Sequence, residues 1–580
     1  MIFQAIGFFA VFGAIGVEGA APVVLPFNDT HTFGFDGPWQ AVPILVGQPP
    51  QLINLYPGGN GPISVLSKNI PANFTELSYD SVSGVYDASL AQTFSQKFSE
   101  TGQTMFADSG WGAGPTLPTV GNGAVAFTDN VSHKSFGSNA VINTFFAAVV
   151  DTSYQIPDGR EFPQDVGFLS LGGRDYNSEG LNGTTIPSYL FKKGVTRSNT
   201  WGLHIGSVLA KIPGSLVFGG YDSGRVIGDV RAAAQNEIGD MFVSLIDISI
   251  GVALGASPFP FQKKDGLLLD RGNSSAPLRV RPNPTVPYLH LPENTCQSIA
   301  ALLPVKYSPS IGLYLWDTDS PQYESMISSP AFLAFAFEQV GSLDNLTIKV
   351  PFYLLNLTLS PPLVPKAVPY FPCRPYEFEE GSPFEHHLGR AFLQAAFIGM
   401  NWNAKTWWMA QAPGPKLPPS TITSLENSSS IISAKEGQPY WTSTWESVWT
   451  PLAERGGSDV IFTEPSSPKS SGISPEAKAG ATLGAVAGAL MISGAVLFLL
   501  LRRLRKRRGV KNLQMIARRS HIDQNGQDLL DKAELPSRSH GLASRMQRHE
   551  MPATNIRHEM SAPPTNGRQQ SNEATASQME

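Results

Sequence analysis

The chain has 580 residues, more than one ordinary domain needs. Only 15% are charged, against 55 Gly and 47 Pro, a balance that favours a turn-rich β protein over a helical one. The net charge of −5 is split along the chain: residues 502–580 carry 15 Lys/Arg and 8 Asp/Glu, a net +7 that leaves −12 for the rest. An acidic body on a basic tail argues against nucleic-acid binding as the main task.

In chain order, residues 1–20, MIFQAIGFFAVFGAIGVEGA, are apolar and end in small residues, as a secretory signal peptide does. From Trp39 to Ala412, short apolar or alternating runs such as AVPILVG, AVINTFFAAVV and GSLVFGG are separated by Gly, Pro, Asn and Asp. That spacing predicts sandwich- or barrel-type strands, not βαβ units. The stretch QPPQLINLYPGGNGPISVL, residues 48–66, reads as strand, glycine-rich turn, strand, with no catalytic side chain on the turn. TCQSIAALLPV is a candidate helix of two or three turns. His386 and His387 are adjacent, so as strand neighbours they point to opposite faces; surface positions are expected for them, not metal ligation.

Residues 413–478 are rich in Pro, Ser and Thr and read as a linker or glycosylated stalk. Within them Trp441, Trp445 and Trp449 stand four residues apart and are expected to share a face and pack back onto the domain. Residues 479–501 contain no charge and, as a helix, span about 35 Å, enough to cross a bilayer. RRLRKRRGVK follows at once, as on the cytoplasmic side of a spanning helix, and the cluster suits anionic lipid. Residues 502–580 have few aromatics and read as a disordered cytoplasmic tail. Sequons begin at Asn28, Asn73, Asn130, Asn182, Asn273, Asn345, Asn356 and Asn427, all before residue 479, in keeping with a type I membrane glycoprotein at the cell surface or in the secretory or vacuolar pathway.

Four stretches together resemble the pepsin-like aspartic peptidases, in the manner of a membrane-anchored fungal-type member: DVGFLSLGG (165–173), IPSYLFKKGVTRSNTWGLHI (186–205), GSLVFGGYDSGRVIGDV (214–230) and LGRAFLQAAFIGMNWNAKTWWMAQA (388–412). The resemblance implies a mostly β, bilobal fold, with an N-terminal lobe at 39–214 and a C-terminal lobe at 215–412. It also implies a disulfide between Cys296 and Cys373, the only two cysteines.

In that family each lobe supplies one Asp from a D-T/S-G turn, one carboxylate acting as base while the other, protonated, acts as acid. Counting seven residues from Gln51, within Gly47-x-Pro49-x-Gln51, places the first aspartate position at Gly58. Counting back nine from Ser67 gives the same position, and no Asp lies between Asp36 and Asp80. In RPNPTVPYLHLP the second position falls on Asn283, nine residues before Pro292, and asparagine cannot serve as a base near neutrality. No Tyr lies between Tyr86 and Tyr154, where the family carries a flap tyrosine. The fallback carboxylate is Asp270 in LLLDRGN; Asp151 in AVVDTS and the aspartates of YLWDTDS read better as strand ends and polar turns.

There is no G-x-S-x-G elbow and no H-E-x-x-H, so no metal or other cofactor is expected. The expectation is a pseudo-peptidase that holds or senses an extended peptide or protein in the cleft between lobes. The alternative is an active aspartic endopeptidase with relocated carboxylates.

Overall fold

Runs of alternating or wholly apolar residues form strands here because each has one or both faces to cover. Val42–Val46 alternates buried and half-buried side chains, whereas Leu289–Leu291 and His386–Leu388 are buried throughout. The computed structural model describes residues 20–70, 81–95, 119–137, 140–178, 181–236, 239–269, 277–338, 345–376, 386–434, 437 and 440–453. Residues 1–19 of the expected leader at 1–20, the apolar segment 479–501, the basic tail, Asp270, Asn73 and Asn273 lie outside them. No helix among the described residues is long and apolar enough to cross a membrane.

The protein is mostly β, as its composition predicts. Three large sheets carry the core. A six-stranded sheet runs in the order Val23–Leu25, Ser215–Phe218, Thr200–His204, Ala396–Asn401, Thr406–Gln411, Ile227–Ala234. Two eight-stranded sheets are built from residues 42–169 and 243–388. Helices are short: Ile186–Lys192, Glu293–Ala300, Pro321–Ser328 and Arg390–Leu393. Glu293–Ala300 realises the helix read in TCQSIAALLPV. It is tied to strand Cys373–Pro375 by the Cys296–Cys373 disulfide, which closes a sequence separation of 77 residues.

The two eight-stranded sheets contain the same strand-turn-strand unit. In the first, β1 (Gln51–Pro57), β2 (Ile63–Lys68), β3 (Ile142–Gln155) and β4 (Gly167–Leu169) combine. In the second, the corresponding strands are β5 (Leu278–Pro282), β6 (Leu289–Leu291), β7 (Cys373–Pro375) and β8 (His386–Leu388). β1 pairs parallel with β4 and ends at Pro57 opposite Leu169; β5 pairs parallel with β8 and ends at Pro282 opposite Leu388. β2 pairs antiparallel with β4 and parallel with β3, as β6 does with β8 and β7.

Residues 413–453 do not form a free linker from their start. Ile422–Ser424 pairs with Gly220–Asp222, and the Asn401 amide donates to the carbonyls of Glu426, Asn427 and Ser429. Trp441, Trp445 and Trp449 are buried as a cluster, the last two stacked at 5.5 Å and Trp441 edge-on to Phe332 at 5.7 Å. The tryptophans pack back onto the domain as their spacing leads one to expect; the Pro/Ser/Thr-rich composition alone reads as a linker, but three large indoles suffice to hold the segment down. A second difference concerns His386 and His387, which are 7% and 5% exposed, not surface residues. Strand β8 has neighbours on both edges and cover on both faces, so alternation does not bring either ring to solvent.

Candidate functional site

The site grows from the two turns. β1 runs into Gly58, whose backbone N–H donates to Leu169 O at 2.9 Å; β5 runs into Asn283, whose N–H donates to Leu388 O at the same 2.9 Å. Gly58 and Asn283 therefore occupy equivalent places in the two units. The turns touch: a Cβ on Gly58 would stand 2.8 Å from both Pro284 Cγ and Thr285 Cγ2. Gly59 has a φ of +80°, which favours glycine.

Neither turn presents an ionisable group at these places. The Asn283 side chain is buried, and its Oδ1 accepts from Thr285 N–H (3.0 Å) and Oγ1 (2.6 Å). Its Nδ2 lies 3.3 Å from His387 Nδ1. An amide NH₂ only donates, so Nδ1 is the accepting nitrogen and the imidazole proton sits on Nε2. Burial first, then the neighbouring Arg281 and His386, push the His387 pKa down to about 3.

The carboxylates close to the turns are engaged elsewhere. Asp240 Oδ1 pairs with Arg281 Nη2 at 2.6 Å and accepts from Asn60 Nδ2 at 3.3 Å, joining the first turn to the second unit. Asp36 Oδ1 accepts from Trp39 Nε1 at 2.6 Å and lies 3.6 Å from Arg390 Nη2. The Arg390 guanidinium lies over the Tyr56 ring at 4.3 Å and the Trp39 ring at 4.9 Å, and its Nη1 donates to Thr285 O at 3.0 Å. Burial raises the Asp36 pKa, with Arg390 opposing.

Asp36 and Asp165 line one cavity of about 40 Å³ with Tyr56, Thr285 and Arg390. That space is of a size for water, which would suit the buried Tyr56 hydroxyl and Arg390 Nε that have no protein partner, and is too small for a peptide side chain. Asp165 is the weakest of the named influences on Asp36. In a pair that shares a proton the partner carboxylate dominates. A second cavity of about 10 Å³ lies against Gly58, Asn60, Arg281 and Asn283.

The other sequence candidates are dispersed. Asp151 sits within β3, which continues to Gln155, so the turn expected after it is absent. In YLWDTDS the Asp317 carboxylate accepts from Asp319 N–H, and Ser320 caps helix Pro321–Ser328, a polar turn as expected. Among the described sequons Asn182 and Asn345 are exposed, while Asn28, Asn130, Asn356 and Asn427 are half-buried. No group of His, Cys, Asp and Glu among the described residues is arranged to hold a metal ion. Arg281, His290, Arg374 and Arg390 escaped the sequence reading. Their one local signal is a basic residue within otherwise apolar segments, a helix for Arg390 and strands for the other three. Compared with protein-family models and with curated proteins, the chain matches none.

Proposed function

We propose that residues 39–412 have the bilobal fold of pepsin-like aspartic peptidases, with lobes at 39–214 and 215–412, and have lost the family's hydrolytic function. In this reading the chain binds or senses extended peptides. It does so as a single-pass type I membrane glycoprotein, with a leader at 1–20, a span at 479–501 and a cytoplasmic tail. The observation that carries the reading is the equivalence of Gly58 and Asn283 in two repeated strand-turn-strand units whose turns touch. Aspartic hydrolysis needs one carboxylate as base and one carboxylic acid as donor at that junction. Glycine supplies neither, and the Asn283 amide is committed to Thr285 and His387. The two nearby cavities are water-sized, so a bound peptide would rest on backbone hydrogen bonds and surface contacts.

The test is incubation of the full chain with a broad peptide library from pH 3 to 7, with and without pepstatin, alongside binding of the same library to immobilised protein. Saturable binding without cleavage supports the reading. Pepstatin-sensitive cleavage overturns the loss of hydrolysis, and Asp36→Asn and Asp165→Asn variants then locate the carboxylates. Absence of both binding and cleavage overturns the peptide-sensing role.

A further inference from the structure

The repeated units differ in one cross-strand row. In the first, Tyr56 pairs with Phe168, Phe168 with Ser64, and Ser64 with Ala147. In the second the same register sets Arg281 against His387, His387 against His290, and His290 against Arg374. Directly paired residues project on one face, so four nitrogen bases stand side by side across β5, β8, β6 and β7. His290 is fully buried and His387 and Arg374 nearly so, and neither ring nitrogen of His290 meets hydrogen-bond geometry. The His290 and His387 rings lie 6.2 Å apart.

Among the described residues, the surrounding groups offer little negative charge. Asp240 is already paired with Arg281. Tyr288 and Tyr376 flank His290, at 5.8 and 6.5 Å between ring centroids, and Arg374 lies over the Tyr288 ring. Tyr307 is a further neighbour of Arg374. His386, on the reverse face of β8, adds a third imidazole. At neutral pH the row works because its histidines are neutral. A proton on His290 or His387 would add a buried cation beside a guanidinium, and a proton on His387 Nδ1 would remove the acceptor facing Asn283.

We infer that this basic row makes the Asn283–Tyr288 turn an acid-opened latch: ordered at neutral pH, released when the buried imidazoles take up protons on acidification. The first turn has no counterpart, since its row is Tyr, Phe, Ser and Ala. The direction agrees with the depressed pKa values: His387 to about 3, His386 to about 4 and His290 well below its ordinary value, burial being the largest cause in each. The unfolded or opened segment binds protons from near pH 6.5 downward, so the closed state loses stability as pH falls below that value. The inference rests on strand register and burial and stands whether or not the chain binds peptides.

Hydrogen exchange of the full chain at pH 7.0 and 4.5, corrected for the intrinsic rate, tests it. Peptides covering 283–291 and 386–391 are compared with 58–66 and 167–171. The second turn should open on the order of 100-fold more relative to the first at pH 4.5, the effect of one imidazole with the His387 shift. His387→Asn, which keeps an acceptor for Asn283 without titrating, and His290→Leu should each reduce that ratio. Three results would overturn the inference: the two turns responding alike, the second turn gaining protection in acid, or folded variants keeping the wild-type pH response. If the variants do not fold, the wild-type comparison of the two turns decides.

Discussion

Introducing an aspartate at Gly58 tests the packing of the two turns most directly. Gly58 is buried, and any Cβ there would sit 2.8 Å from the Pro284 ring and the Thr285 methyl. Neither neighbour is a flexible side-chain end: the ring is fixed to its backbone, and the Thr285 hydroxyl is bonded to Asn283. Gly58→Ala isolates this steric cost, for which forced overpacking suggests about 1–3 kcal/mol. Gly58→Asp adds a buried carboxylate with no cation assigned to it, so it should exceed the alanine variant. With an unfolding entropy near 2.1 cal/mol/K per residue, a unit of this size loses about 1–3 °C in Tm for the alanine variant. The assay is differential scanning calorimetry of wild type, Gly58→Ala, Gly58→Asp and the Gly58→Asp/Asn283→Asp double variant, each also assayed for peptide cleavage at acid pH. The double variant should be destabilised and inert. An unchanged Tm together with pepstatin-sensitive cleavage would refute the reasoning, because the turns would then have kept room for both carboxylates.

Other outcomes follow from the packing. Cys296→Ala opens the bridge between helix Glu293–Ala300 and Cys373–Pro375 and should cost about 2–5 kcal/mol, read from thermal unfolding. Trp445→Ala removes a side chain only 1% exposed from the three-indole cluster; a loss of about 3–5 kcal/mol is expected, with proteolytic nicking between residues 413 and 453 as the readout of local release. Arg390→Met leaves Asp36 buried without its cation and should cost about 3–5 kcal/mol at pH 7. Its pH profile has a definite sign. The folded-state carboxyl already titrates above its ordinary value, and loss of Arg390 raises it further. The folded state then binds protons more readily than the unfolded chain, so stability recovers as pH falls toward the unfolded value near 3.8. Urea melts at pH 7 and pH 5 check it; a variant equally unstable at both would contradict the assignment.

Much of the site could be read from sequence because it is set by local spacing. The strand-turn-strand at 48–66 and the counts that place Gly58 and Asn283 at matching positions need only neighbouring residues, and backbone register agrees with both. The single bridge followed from there being two cysteines and the family resemblance. What stayed hidden is non-local. Arg281, His387, His290 and Arg374 are spread over 107 positions of sequence and become neighbours only through parallel and antiparallel pairing of four strands. The burial of His386 and His387 likewise depends on cover from both sides of β8, which a period of two cannot reveal. Composition misjudged residues 413–453 because Pro, Ser and Thr outnumber the indoles that anchor them.

That anchoring segment also fixes where the body can be cut away intact. Ile422–Ser424 covers the edge of Gly220–Asp222, the indoles cover Phe332, and the clasp closes where Leu452 bridges Ala256. A cleavage after Leu452 would release a particle with its apolar surfaces still covered. One made near Pro413 would strip both covers and bare an aggregation-prone edge. Any folded fragment of this protein made by proteolysis should therefore carry the clasp, and its C-terminus will report where the protease was allowed to act.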